Sequence, residues 1–175
     1  MAGGGEVMSW KRWLGAVHDA ITLAGFYCAV LCLAVITTVY IYEVSARYFF
    51  SAPTSWASAV VSYLLLYTVF LAMPELTRQR VHVFISIFLD SLSDRRATML
   101  MRILYTIAGI ACLTGAYFSF DTTYRQFLSG ITTVNEWRVQ KWLVSAAIPY
   151  GLLFTGLHYL RHVAGGVRYR DRGVN

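Results

Sequence analysis

The chain has 175 residues, 57% hydrophobic and 14% charged, with a formal net charge of +6. Its mean hydropathy of +0.53 excludes a soluble or disordered chain and identifies an integral membrane protein. The basic residues flank apolar runs and form no long basic tract, so anionic lipid headgroups, not nucleic acid, are their expected counter-charge.

Near the N-terminus, Trp10, Trp13, Leu14, Val17 and Ile21 recur at helical spacing behind Ser9, a candidate N-cap. This predicts an amphipathic helix over 8–19 lying in the membrane interface. Uncharged runs then predict four transmembrane helices at about 20–42, 53–74, 103–120 and 142–160, each matched to roughly 30 Å of hydrocarbon. The first run is too long for a signal-peptide core, and no small-x-small cleavage pattern follows it directly, so it is expected to remain as an anchor. Beyond the second span, Val81, Phe84, Ile85, Phe88 and Leu92 repeat the helical spacing and predict a second interfacial helix over 79–93. The alternative for both segments is a bent continuation of the neighbouring span. The longest connection, 75–102, has 28 residues and holds no soluble domain, so 1–175 reads as one all-α membrane domain with a basic tail over 165–175.

Eleven of the 15 Lys and Arg residues lie on the side shared by the two termini and the connection 75–102. The other four, Arg47, Arg125, Arg138 and Lys141, flank the opposite side. The positive-inside rule therefore predicts that both termini are cytoplasmic.

Inside the spans the chemistry is sparse. No Asp, Glu, Lys or Arg stands away from their ends, whereas ion and proton pathways ordinarily need one. Glu43 with Arg47, and Asp121 with Arg125, stand at i and i+4 near the outer ends of spans, the acid-first order that favours a pair. Pro149, inside the fourth span, deprives the Ser145 carbonyl of its helical donor and predicts a kink that Gly151 helps to relieve. Ala108, Cys112 and Ala116 share one stripe of the third span, while Ala111 and Gly115 form a small-xxx-small pair on another, so close helix contacts are expected there.

His18, His82, His158 and His162 all fall toward the cytoplasmic side. They keep open a haem-binding oxidoreductase, although facing histidines would be expected deeper in the spans. Cys28, Cys32 and Cys112 show no zinc spacing, and no phosphate loop or nucleophile elbow occurs, so neither enzyme activity nor a cofactor is expected. An autonomous small transporter is a further alternative, one that lacks an embedded charge for coupling.

The stretch Tyr42-Glu43-Val44-x-x-Arg47-Tyr48-x-Phe50, followed by Pro53-x-x-Trp56, resembles the first periplasmic turn of the small membrane subunit, the DctQ-like family, of tripartite ATP-independent periplasmic (TRAP) transporters. The resemblance continues through Tyr63-Leu64-Leu65 and Phe70-Leu71, then Arg80 and His82-Val83, and ends at Ile148-Pro149-Tyr150-Gly151. It departs from the family pattern at Ala57, Ser58 and Ala59, where members often carry an acid, and at Val81 and Ser86, where glycine and aspartate are usual. The resemblance implies a non-enzymatic subunit of a sodium-coupled importer in the bacterial inner membrane. Its implied partners are a large many-span membrane subunit and a periplasmic solute-binding protein delivering an organic anion such as a carboxylate or acidic sugar. It further implies that Glu43, Arg47, Tyr48, Phe50, Pro53 and Trp56 form a structural or subunit-contact element on the outer face. Trp10, Trp13, Arg80 and His82 would serve as interfacial anchors.

Overall fold

The computed structural model describes residues 4–52, 54–79, 94–134 and 138–165, with side chains from residue 13 onward apart from 14 and 94. Among these residues five helices follow in order: α1 Gly4–Phe50, α2 Ala57–Arg78, α3 Asp94–Ser129, α4 Lys141–Ser145 and α5 Ala147–Ala164. Within them lie four stretches long and apolar enough to cross a membrane, Gly15–Phe50, Ala57–Arg78, Arg95–Ser129 and Lys141–Ala164. The protein is thus an all-α, four-span membrane protein. Among the described residues, the extended structure is a single antiparallel bridge between Thr132 and Gln140.

The helices overrun the spans read from charge alone, because a backbone ladder continues past the first polar residue whenever its hydrogen bonds remain available. At about 1.5 Å per residue, the 47 residues of α1 far exceed the hydrocarbon thickness. The segment 8–19 runs into the first span with no break in the helix, in the manner of a continuation. The segment 79–93, apart from Gln79, lies outside the described residues, as do Pro53, Arg80, His82, Trp137 and the tail beyond Gly165; the side chain of Trp10 is likewise outside them. Hydroxyls within the spans turn back on their own helices: Thr37 and Thr38 donate to Leu33 and Ala34, Thr68 to Leu64, and Thr122 to Phe118. In hydrocarbon such groups have no water to satisfy them, so the i−4 carbonyl takes that place.

Helix α5 is the hub. It lies against α2 and α3 along its length, α1 lies against α2, and α1 also reaches α5 through side chains such as Asp19 to Arg161. Between α3 and α5, Cys112 and Leu113 lie against Gly156, and Leu152 lies against Gly115. The small residues of the third span are therefore used within the chain. Ala111, on the other side of the helix, is exposed.

A proline and a glycine make the α2–α5 contact. Pro74, buried inside α2, has no N–H to offer the carbonyl four residues earlier, Phe70. That carbonyl faces Gly151 of α5 so closely that an added Cβ would collide with the Phe70 oxygen. The freed acceptor is thus covered by the backbone of α5, an approach that only glycine permits. Three residues before Pro149, at Ala146, the helix is interrupted between α4 and α5. Ser145 there donates its hydroxyl to Gln126 Oε1 at 2.8 Å.

The two connections at the end opposite the termini differ. Helix α3 stops where Gly130 takes a φ of +61°, a left-handed cap natural to glycine. A tight return then follows, in which Thr133 N–H donates to Val139 O and Lys141 N–H to Ile131 O, both at 2.9 Å. Helix α1 stops at Ser51, a non-glycine with a φ of +51°, where the Ala52 amide donates back to the Ala46 carbonyl at 3.2 Å. A left-handed serine costs about 1 kcal/mol or more.

Candidate functional site

Two polar regions stand at opposite ends of the bundle. At the turn end, the last turns of α1 carry Glu43 and Arg47 on one side, joined Nη2 to Oε1 at 2.5 Å. The Glu43 side chain is only 12% exposed and that of Arg47 is 58% exposed, so the arginine covers the acid and faces outward. The similarly spaced Asp121 and Arg125 of α3 stand 2.9 Å apart with both side chains well exposed.

Beside the Glu43 pair, the Tyr42 and Trp56 rings meet at 6.2 Å between centroids and tie the end of α1 to the start of α2. They are part of the lining of a cleft of about 690 Å³, with Ser45, Ala46, Phe50, Ala52, Thr54 and Ser55. The Thr54 hydroxyl is buried with no hydrogen-bond partner among the described residues. Tyr48, Phe49 and Phe50 are 79%, 83% and 78% exposed, so three consecutive aromatic residues project from the helix end. Of the residues singled out in the sequence, the structure gathers Phe50 and Trp56 at the cleft and pairs Glu43 with Arg47. Tyr48 lies outside the cleft lining, and Tyr42, Ser45 and Thr54 join it. The signal for Ser45 was its place one turn before Phe49, on the helix that carries the pair.

The end bearing both termini is built differently. Glu75, fully buried, accepts from Arg78 Nε at 2.7 Å, Arg78 Nη2 at 2.5 Å and Gln79 Nε2 at 2.7 Å. His162 Nε2 lies 3.1 Å from the Thr77 carbonyl. Arg161 of α5 crosses to Asp19 of α1, with Nη1 2.6 Å from Oδ1 and Nη2 3.2 Å from Oδ2. His18 and His158 bring their rings to 4.0 Å between centroids, and the Phe154 ring stacks with His18 at 5.2 Å. A haem held between His18 and His158 would need them on opposite sides of its iron, whereas these rings touch each other.

The sequence places these histidines on one side of the membrane but does not pair them. Residues 140 apart in the chain offer no periodicity linking them. The spacing of His158 and His162, one turn apart, is the available hint, and the partner of His158 proves to be His18.

Trp13 is exposed, at 56%. Trp142 packs edge-on against Phe127 at 5.3 Å and donates its indole N–H to Gln140 Oε1. Both stand near the ends of candidate spans.

No curated protein gives a significant match to the chain. The family model described as tripartite ATP-independent periplasmic transporters, DctQ component, matches residues 36–169. That match takes in the Glu43–Arg47 pair, the turn-end cleft and the Pro149–Gly151 element together. The chain therefore belongs to the DctQ component family of tripartite ATP-independent periplasmic transporters.

Proposed function

We propose that this small transporter subunit is the fixed scaffold of a sodium-coupled importer of an organic anion, such as a carboxylate or acidic sugar. In this reading both termini are cytoplasmic, the large many-span subunit binds sodium and substrate, and a periplasmic protein delivers the anion. The observation that carries the reading is the combination of uncharged span interiors with apolar faces turned outward. No more than 28% of the most apolar window of any span is buried within the chain. Helix α1 presents Tyr27, Val30, Leu31 and Ile41, and α3 presents Ile107, Ile110, Tyr117 and Phe118. Surfaces of this kind suit lipid and neighbouring helices, and the charged groups of the spans, Glu75 among them, stand toward their ends.

A transporter whose substrate-bearing part moves across the bilayer needs another part that resists tilting. The segment 8–19, which enters the first span without a break, and the segment 79–93, with Trp10, Trp13, Arg80 and His82 as anchors at the headgroups, would supply that resistance. The cleft at the turn end and the exposed Tyr48 to Phe50 serve in this reading as a docking element on the periplasmic face. The test is transport in proteoliposomes containing the large subunit and binding protein, with and without this chain. Uptake is expected to require the chain; equal uptake without it would overturn the scaffold role.

A further inference from the structure

We propose that His18, Asp19 and His158 form a binding site for a divalent transition cation of the Zn²⁺ class, clipping α1 to α5 at the end that bears the termini. Each residue offers one ligand atom, and the three atoms lie within 4.8 Å of one another. Zinc bound tetrahedrally at about 2.0–2.2 Å holds its donors roughly 3.3 Å apart, so small side-chain rotations close the site without moving either helix. Two imidazoles and a carboxylate are a donor set suited to zinc and its neighbours.

The hydrogen bonds around the cluster leave the required lone pairs free. The Thr22 hydroxyl donates its proton to the His18 carbonyl at 2.9 Å. It must therefore accept from His158 Nε2, 3.0 Å away, which leaves Nδ1 as the ring nitrogen with a lone pair. His158 and Thr22 are essentially inaccessible, so this arrangement is shielded from exchange with bulk water. His18 Nε2 is buried and has no hydrogen-bond partner among the described residues. An orphaned nitrogen of that kind carries a desolvation cost that a metal ion would remove.

Asp19 already accepts from Arg161, but an ionised carboxylate has about four lone-pair sites and can bind a cation beside the guanidinium. Arg161 opposes the incoming charge. Its side chain is 50% exposed, so water screens the repulsion and the arginine has room to swing outward. Thr22 on His158 and Arg161 on Asp19 then occupy the positions of outer partners that orient metal ligands.

The experiment uses the full chain with its affinity tag removed, reconstituted in nanodiscs and stripped with a chelator. Zn²⁺ is titrated in competition with a chromophoric chelator, and Co²⁺ is used as a visible-spectrum probe. The unaltered chain is expected to take up one Zn²⁺ and to show the intense visible bands of tetrahedral Co²⁺. His18→Ala and Asp19→Asn should abolish those bands, His162→Ala should keep them, and Thr22→Val should weaken Zn²⁺ affinity by about 10- to 100-fold. His158→Gln should match His18→Ala, and circular dichroism shows whether it has folded; if it has not, the isosteric Asp19→Asn at a partly exposed position decides between the outcomes. Failure of the unaltered chain to bind stoichiometrically, or binding that survives both His18→Ala and Asp19→Asn, overturns the site.

Discussion

Asp19, at the end bearing the termini, reaches Arg161 on another helix, whereas Glu43, at the turn end, pairs with Arg47 on its own. The two ends use the same residue types to opposite effect. At the first, buried Glu75 takes three donors and the histidines stack across the α1–α5 contact. At the second, an aromatic-walled cleft stays open and three aromatic residues project outward. Side chains of α1 and α5 meet at the first end, while at the second the last turn of α1 leaves its aromatic residues exposed.

The largest expected effect lies where the spans meet. Gly151→Leu would drive a side chain into the Phe70 carbonyl and part α2 from α5. We expect a loss of about 3 kcal/mol or more, read as a lower unfolding midpoint in detergent and loss of the monodisperse elution peak. A tolerated leucine would show that this joint does not hold the bundle.

Arg78→Ala tests the closed end. Among the described residues it leaves Glu75 buried with Gln79 as its side-chain donor, and because Arg78 is partly exposed we expect about 2 kcal/mol, below the range for a wholly buried pair. Thermal unfolding of the isolated subunit measures it. Double replacement with Glu75→Gln should recover part of the loss, since the buried charge is then gone.

Arg47→Ala tests the open end. The isolated subunit should lose under about 1 kcal/mol, while affinity for the large subunit falls roughly tenfold, or about 1.4 kcal/mol, in a pull-down titration. A stability loss equal to that of Arg78→Ala would break the comparison by making the turn end another internal knot. The smallest effect belongs to Arg125→Ala, at or below about 0.5 kcal/mol in stability and with unchanged assembly.

Much of the architecture was legible from residue type. Uncharged runs mark spans because charge in hydrocarbon is costly, and the i, i+4 spacing of Glu43 and Arg47 places them on one helical face. Helix ends were less legible: α1 continues to Phe50 and α3 spans Asp94–Ser129, since hydrogen bonding carries a helix into water beyond the apolar run. Pro74 gave no sign that the carbonyl it frees would be covered by Gly151. That match depends on which helix lies beside α2 and at what height.

Composition and hydropathy by themselves determined that the chain belongs in a membrane, with four apolar runs long enough to cross it and no charged residue in their interiors, because transfer into hydrocarbon acts on each residue separately. Only the tertiary structure decided that α5 would be the hub, that His18 would meet His158, and that the turn end would stay open. Those outcomes depend on helix neighbours and rotation, which arise from close contacts between residues far apart in the chain and leave no periodic trace along it.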